Sequence, residues 1–341
     1  MPSSAANNHV FPNTTTFLKD TNLTEPHTAE DPGISFYIYY YGMICIIMCI
    51  NITGNTLVIR AVMRTPNLRT PCNHYIVSLA VTDLLIGVIY PLYNVAHLEL
   101  VPEVSRALGQ WGVCRFLVSE VLALSTSCSY HLVAITVTRY VAILYPLRYH
   151  LYFTTKSTKY TIYSIWVLSH CTCIFMYTLY NPEKYIGVCR YELIFSITHL
   201  IILLIIQYFL PLLIMLSLYA RIVRIARHQA KAIALQERVL RNKSHAFNFI
   251  RRQELKSTVM VSVLLGFYII VWTPMIIYLF FYKITCVENC FQSPFIRATC
   301  RILLYMNSAV NVFIYAGRLP EFRKSIQKDI TKLQKYLCFC K

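Results

Sequence analysis

Residues 193–220 read LIFSITHLIILLIIQYFLPLLIMLSLYA, a stretch without a single Asp, Glu, Lys or Arg. About 20 residues of this kind are enough for a helix to cross the hydrocarbon core of a bilayer. In that environment every backbone polar group needs a partner within the protein, and a helix supplies its own. This stretch therefore predicts a membrane-spanning helix.

Six further stretches of similar length and character lie on either side of it. Residues 35–59, 160–182 and 257–282 are also uncharged, and each of two others carries one acid, Asp83 in 75–98 and Glu120 in 116–138. The last, 291–317, holds Arg297 and Arg301 in its first half. Strands of a membrane barrel would be about 10 residues long with alternating polarity, so the pattern predicts an all-α membrane protein, a seven-transmembrane helix bundle.

Composition and charge agree with this fold class. Hydrophobic residues make up 56% of the chain and charged residues only 14%, against about 25% in soluble domains, and such a composition also excludes a disordered chain. The net charge of +17 would suit a nucleic-acid binder if it were spread over a soluble face. With the N-terminus outside, however, 24 of the 32 Lys and Arg residues fall on the inner side. Because these residues are retained in the cytoplasm, the charge indicates topology and no nucleic-acid partner.

The topology divides the chain into an extracellular tail (1–34), a seven-helix domain (35–317) and a cytoplasmic tail (318–341). Two sequons in the first tail, Asn13-Thr14-Thr15 and Asn22-Leu23-Thr24, predict glycosylation at Asn13 and Asn22.

In the cytoplasmic tail, apolar residues recur at helical spacing and predict a short amphipathic eighth helix on the inner membrane face. The stripe consists of Phe322, Ile326, Ile330, Leu333 and Leu337. Cys338 and Cys340 follow it and are predicted palmitoylation sites. The alternative is a frayed basic tail.

The chain has 13 cysteines. Because this number is odd, at least one of them forms no disulfide with another cysteine of the chain. Cys286 and Cys290 lie in one short outer loop and are predicted to form a local bridge, although their spacing is tight for disulfide geometry. Cys72 is predicted to be a free cytosolic thiol. The remaining cysteines within spans are predicted to be buried apolar thiols: Cys45, Cys49, Cys128, Cys171, Cys173 and Cys300.

Short motifs occur on all seven spans, in order along the chain. They are Gly54-Asn55, residues 78–84 (SLAVTDL), Trp111 with Cys114 and Thr138-Arg139-Tyr140, Trp166, Pro211 with Tyr219, Trp272-Thr273-Pro274, and residues 311–315 (NVFIY). Together they resemble the rhodopsin-like class of G protein-coupled receptors, over residues 35–340. Two positions depart from that pattern: Thr138 replaces the usual acid before Arg139, and Val312 replaces the usual proline of the last motif. Both are switching positions, so they bear on basal activity.

The resemblance implies a receptor in the plasma membrane that passes an extracellular ligand's signal to a heterotrimeric G protein. It implies a disulfide between Cys114 and Cys189, and a sodium site at Asp83 near Trp272. The other residues implied at that sodium site are Cys128, Asn307, Ser308 and Asn311.

At the cytoplasmic side, the resemblance implies a tether between Arg139 and Glu254. Tyr140 belongs to the same motif as Arg139. Tyr219 and Tyr315 match tyrosines that turn inward on activation, and Leu147 matches the residue that docks into the G protein.

The expected ligand pocket lies above Trp272. The position of the usual amine counter-ion is Val121, and the last span has no lysine for retinal. The polar residues expected to face the pocket are Ser125, Thr126, Gln207 and Tyr305, with His97, His199, Tyr278, Arg297 and Arg301 nearer the mouth. Arg301 is suited to a carboxylate, since arginine binds this group bidentately. Alternatively, it pairs internally with Glu99 or Glu120. A small polar molecule, a lipid acid and a peptide terminus all remain open as ligands.

Two other functions remain open beside the ligand-gated receptor. One is a ligand-independent or modulatory receptor-like protein, which Thr138 and Val312 favour. The other, a seven-span transporter, is the weaker alternative, since the chain shows no internal repeat and only 9 glycines where transporters often have repeats and interrupted helices. No enzyme motif is present, so no catalytic activity is expected.

Overall fold

The computed structural model describes residues 33–98, 111–178, 196–239, 262–281, 293–318, 322–325, 327–328 and 331. Over these ranges the chain forms helices joined by short connections, without a strand. The seven long helices are α1 (Gly33–Arg64), α2 (Pro71–Leu98), α3 (Trp111–Leu144), α4 (Thr155–Thr178), α5 (197–239), α6 (Ser262–Phe281) and α7 (Pro294–Arg318). The predicted all-α bundle is confirmed.

Five of these helices contain segments long and apolar enough to cross a membrane. The segments are Gly33–Arg64, Pro71–Val95, Gly112–Leu144, Ile197–Ile225 and Ser262–Phe281. Helices α4 and α7 carry more polar residues, and they pack in the same bundle. α4 contacts α3 and α2, while α7 contacts α1 and α2. α3 lies at the centre, against α2, α4 and α5.

Large apolar side chains cover the outside of the bundle, as expected of a protein whose surroundings are lipid. Ile38, Val88, Leu213, Phe280 and Phe313 are all more than half exposed. Several polar side chains instead lie inside and join helices. The Ser78 hydroxyl of α2, for example, lies 2.8 Å from His131 Nε2 of α3 and accepts a 3.0 Å hydrogen bond from Trp166 Nε1 of α4.

Helix α5 is interrupted by a π-helical turn, Ile205–Phe209. Pro211 follows two residues later. The backbone N–H of Leu210 donates to the carbonyl of Ile205, five residues back. A π turn accommodates one extra residue within a helix, so the residues before it are rotated by about 100° relative to an uninterrupted helix.

Helix α7 runs through Val312 without a break, where the family pattern has a proline. Val312 packs against Gly54 of α1. A Cβ added to Gly54 would come within 2.8 Å of Val312 Cγ2. Glycine at position 54 therefore lets α1 approach the branched side chain on α7.

The cysteine predictions are correct in part. Cys72, Cys128 and Cys300 are free and buried, and Cys114 is buried and disulfide-bonded. The prediction of buried thiols is wrong for Cys45, Cys49 and Cys171, which are free but exposed on the outside of the bundle. Both faces of these helices are apolar, so composition did not reveal which face packs inward. The side chain of Cys173 lies outside the described part of the chain.

The beginning of the predicted eighth helix is helical at 322–325. Phe322 is fully buried and its ring lies 6.4 Å from that of Tyr315, while Arg323 and Lys324 are exposed. Several predicted features fall outside the described residues: the glycosylation sites Asn13 and Asn22, the cysteines Cys189, Cys286, Cys290, Cys338 and Cys340, and the acid Glu254.

Candidate functional site

A cavity opens between α2, α3, α5, α6 and α7, with about 1030 Å³ of empty space including its mouth. Most of its lining is apolar, from side chains such as Leu203, Met275 and Leu304. Six residues predicted for the ligand pocket line it: Val121, Ser125, Gln207, Trp272, Arg301 and Tyr305. The sequence therefore located the cavity and most of its polar groups.

Three predicted pocket residues do not line the cavity. Thr126 is buried and donates its hydroxyl to the Leu122 carbonyl of its own helix at 2.8 Å. His199 contacts the Ser196 hydroxyl with Nδ1 at 2.8 Å, at the start of α5. Tyr278 packs against the small cluster of Met275, Leu279 and Cys300. Arg297 is half-buried and also absent from the lining, and the side chain of His97 is not described.

Two tyrosines of α2 line the cavity and were missed. Tyr90 stacks on Tyr305 with 4.6 Å between ring centroids, and its hydroxyl donates to the Arg301 carbonyl at 2.9 Å. Tyr93 lies one helical turn further on, with its ring 6.0 Å from the Arg301 guanidinium carbon. Their spacing of three residues places both on one face of α2. This spacing was the sequence signal that could have identified them as cavity residues.

Arg301 is the one basic residue among the described residues that line the cavity. Its side chain is buried, at 3% exposure, and its guanidinium is near the Tyr93 ring. No Asp or Glu is among the described residues that line the cavity. Glu120, one of the two acids considered as an alternative partner of Arg301, instead lies on the α4 side of α3. There its Oε2 is 3.6 Å from Nε2 of His170. The structure therefore does not support the alternative pairing of Arg301 with Glu120, and Glu99 lies outside the described ranges.

Below the cavity, a buried polar cluster surrounds Asp83. The carboxylate accepts a hydrogen bond from Asn311 Nδ2 at 3.0 Å and one from the Cys128 thiol at 3.3 Å. Ser308 also hydrogen-bonds to it. Asn307, Ser308 and Cys128 line the adjoining cavity as well. The residues predicted for the sodium site thus lie at the boundary between the cavity and Asp83.

The donor set at Asp83 suits a small hard cation, which prefers oxygen ligands. A carboxylate, a serine hydroxyl and asparagine amide oxygens are available, all from buried residues. The Cys128 sulfur is the poorest ligand of the group. Within the described ranges, no group of three or more His, Cys, Asp or Glu residues is arranged to hold a metal ion, so a transition-metal site is not indicated there.

Near the Leu144 end of α3, Thr138 bonds to its own helix. It is fully buried, and its hydroxyl donates to the Ala134 carbonyl of its own helix at 2.5 Å. Arg139 Nε is also buried and has no hydrogen-bond partner among the residues with described positions. Tyr140 is half-buried, and Leu147, the second residue of the short helix Pro146–Tyr152, is 92% exposed.

The two predicted switch tyrosines have different contacts in this structure. Tyr219 of α5 accepts a 2.7 Å hydrogen bond from the Ser262 hydroxyl at the start of α6. Tyr315 of α7 is buried and its ring packs near Phe322. The contact between Tyr219 and Ser262 joins α5 to the beginning of α6.

Comparison with known proteins places these features in a family. Residues 54–315 match the family 7 transmembrane receptor (rhodopsin family). Melanocortin receptor 5 of Rattus norvegicus is 30% identical over 315 residues, covering 88% of this chain and 85% of the relative. The thyrotropin-releasing hormone receptor of Mus musculus is 26% identical, covering 95% and 85%. Adenosine receptor A2b of Bos taurus is also 26% identical, covering 86% and 90%. The chain therefore belongs to the rhodopsin family of seven-transmembrane receptors, the class A G protein-coupled receptors.

Proposed function

We propose that this receptor binds its extracellular ligand in the cavity between α2, α3, α5, α6 and α7, with Arg301 as the anchor for an anionic group. The observation that carries this proposal is the position of the Arg301 side chain, which is buried and lines a largely apolar cavity. Hydrogen bonds between an arginine and an anion are among the stronger ones in proteins. The apolar walls favour a ligand with a sizeable apolar body.

The relatives do not select the ligand. They are named after melanocortin, thyrotropin-releasing hormone and adenosine, so receptors similar to this chain are named for different ligands. Of the three candidates left open by the sequence, the cavity best suits a lipid acid or a peptide terminus, because both combine a carboxylate with apolar groups.

We propose that the ligand acts through Trp272, which lines the cavity, and moves α6 outward at the cytoplasmic side. Breaking the contact between Tyr219 and Ser262 would be part of that movement. Leu147, exposed beyond α3, and Arg139 would then meet a heterotrimeric G protein. We place the N-terminus outside the cell and the basic loops in the cytoplasm, because Lys and Arg are retained on the cytoplasmic side. The membrane proposed for this receptor is the plasma membrane.

Sodium at Asp83 is proposed as a stabiliser of the resting state, held by Asp83, Ser308 and the asparagines Asn307 and Asn311. The remaining proposals concern covalent features: disulfides between Cys114 and Cys189 and between Cys286 and Cys290, glycosylation at Asn13 and Asn22, and palmitoylation at Cys338 and Cys340.

The decisive experiment is nucleotide exchange with purified receptor in lipid nanodiscs and a panel of G proteins, first alone and then with libraries of carboxylate-bearing lipids and peptides. A compound that accelerates exchange in the native receptor, and does so far less in Arg301→Gln, would support the proposal. Equal responses in both would contradict the role of Arg301.

A second candidate is a receptor that signals without ligand. Thr138 bonds its own helix instead of Arg139, so one contact that restrains relatives is missing. In the same exchange assay, substantial activity that no compound increases would favour this alternative.

A further inference from the structure

Glu120 of α3 is an acid within a membrane-spanning segment, and it belongs neither to the described cavity lining nor to the cluster at Asp83. Its partner is His170 of α4, whose Nε2 lies 3.6 Å from Glu120 Oε2. Ionisable side chains within a bilayer are costly, and those that occur there often mark functional sites. The pair is therefore a candidate site separate from the ligand cavity.

His170 is held in one orientation by its own helix. Its Nδ1 lies 2.9 Å from the backbone carbonyl oxygen of Trp166, and its ring stacks on the Trp166 indole with 5.7 Å between centroids. Because a carbonyl oxygen can only accept, Nδ1 carries a hydrogen and Nε2 is left to face Glu120. The 3.6 Å between Nε2 and Oε2 exceeds the usual length of a hydrogen bond, about 3.2 Å at most. The two groups therefore lie close together without a direct hydrogen bond.

A hydroxyl group fits the chemistry of this gap. A net charge in hydrocarbon is costlier than a neutral pair, which favours one proton shared between Glu120 and His170. Wherever that proton resides, one of the two facing atoms donates and the other accepts. A hydroxyl can accept from the first and donate to the second. Since 3.6 Å is less than twice the length of a hydrogen bond, a single hydroxyl oxygen can reach both atoms.

The pair opens onto the outside of the bundle. The side chains of His170 and Glu120 are 35% and 25% exposed. Phe116, one turn before Glu120, and Ile174, one turn after His170, are both more than half exposed. Both are large and apolar, as expected of a surface that faces lipid. A hydroxyl that reaches the pair therefore comes from the membrane.

The depth of the pair indicates where on a lipid that hydroxyl lies. Glu120 is nine residues from the Trp111 end of α3, and His170 is eight residues from the Thr178 end of α4. At a rise of about 1.5 Å per residue, both are about 12–14 Å from those ends. The headgroup region is only about 5–8 Å thick, so the pair lies among acyl chains. A hydroxyl beside a headgroup, such as that of a sterol, is too shallow.

We propose that Glu120 and His170 form a lipid-facing site that binds the hydroxyl of an acyl chain hydroxylated partway along its length. Phe116 and Ile174 contact the apolar parts of the same chain. The site is distinct from the cavity that holds Arg301, and its occupation requires neither an agonist nor a G protein.

The test uses full-length receptor in bilayers of equal parts ricinoleoyl and oleoyl phosphatidylcholine, whose acyl chains differ only by a mid-chain hydroxyl. The photoreactive residue p-benzoylphenylalanine replaces Ile174 or, as the matched control, Leu213 on the outside of α5. These two side chains are 63% exposed in each case. After illumination, mass spectrometry gives the ratio of ricinoleoyl to oleoyl adducts at each position.

The ratio at Ile174 should exceed that at Leu213 roughly threefold to tenfold, the equilibrium factor expected for one hydrogen bond. Glu120→Leu and His170→Phe should each reduce it to the control value. The second substitution keeps an aromatic ring to stack on Trp166 and removes only the nitrogens. Melting temperatures of both variants confirm that they fold, as expected for apolar residues at a lipid-facing position.

Equal ratios at Ile174 and Leu213 in the native receptor would overturn the inference and would favour a water molecule between the two side chains. A preference that survives both substitutions would also overturn it. So would equal enrichment of alpha-hydroxyoleoyl phosphatidylcholine, whose hydroxyl lies next to the headgroup. Cross-linking of Ile174 to a second receptor instead of to lipid would show that another copy of the chain covers this face.

Discussion

Asn311 donates a 3.0 Å hydrogen bond from its amide to the carboxylate of Asp83, joining α7 to α2 at the floor of the cavity. The Cys128 thiol of α3 donates to the same carboxylate at 3.3 Å, so a sulfur lies beside the oxygens proposed to hold sodium. Replacing the Cys128 sulfur by an oxygen should therefore strengthen the proposed sodium site.

We expect sodium to raise the melting temperature of the native receptor by about 2 °C relative to potassium at equal ionic strength, since a ligand of the folded state stabilises it. Asp83→Asn should abolish the difference. Cys128→Ser should enlarge it, because a hydroxyl oxygen is a better ligand for a hard cation than sulfur. An equal melting temperature in both salts for all three proteins would rule out the sodium site.

Arg301→Gln should reduce the potency of an anionic agonist by about 10- to 100-fold, the range expected when a charge-assisted hydrogen bond is lost. Arg297→Gln is the matched control, since this arginine is half-buried and does not line the cavity. Dose–response curves for nucleotide exchange measure the effect. A comparable loss in the control would mean that outer positive charge in general, rather than Arg301, attracts the ligand.

Thr138→Glu should lower basal nucleotide exchange by about fivefold, a modest coupling between conformational states, because it gives Arg139 an acidic neighbour. Thr138→Val keeps the shape and removes only a hydroxyl that bonds its own helix. It should therefore leave exchange unchanged. Glu254→Ala should raise exchange, and no change in that variant would indicate that Glu254 is simply solvated.

Leu147→Ala should slow agonist- or basal-driven exchange by several-fold without altering the melting temperature. The side chain is 92% exposed, so its removal costs the isolated receptor little. Leu151→Ala is the control, as Leu151 is also largely exposed and lies on the same short helix. Equal exchange in the native protein and in Leu147→Ala would exclude this residue from the G protein contact.

Gly54→Ala should destabilise the receptor by about 1–3 kcal/mol, the usual cost of overpacking, because its new Cβ would meet Val312. Adding Val312→Ala should recover most of the loss. Gly42→Ala is the control, as a Cβ there has open space around it. Thermal unfolding of each variant in detergent provides the comparison, and a normal melting temperature for Gly54→Ala would contradict the close packing.

The number and order of the helices followed from the sequence because spans such as 193–220 leave few alternatives in a bilayer. The Asp83 cluster was also predictable, since its members belong to short motifs at fixed spacings. The orientation of individual side chains was less accessible. Thr126 is next to the correctly placed Ser125, but neighbouring residues point about 100° apart on a helix.

His199 illustrates a different limit. It lies before the π turn of α5, whose extra residue changes the rotation of everything that precedes it, and no periodic pattern in this uniformly apolar stretch marks the change. Glu120 was one of two acids considered as an alternative partner for Arg301, whereas its contact is with His170 on α4. Which distant residues pair depends on how the helices are rotated relative to each other. The periodicity of hydrophobic residues in a single sequence does not reveal that rotation.

The exposed thiols of Cys45, Cys49 and Cys171 have a practical consequence for chemical labelling. Water-soluble alkylating reagents should leave them unmodified in intact bilayers, while hydrophobic maleimides dissolved in the lipid should reach all three. Detergent extraction removes that distinction. Site-directed labelling of this receptor therefore needs a background in which these three cysteines have been replaced, whereas Cys72 is buried and can remain.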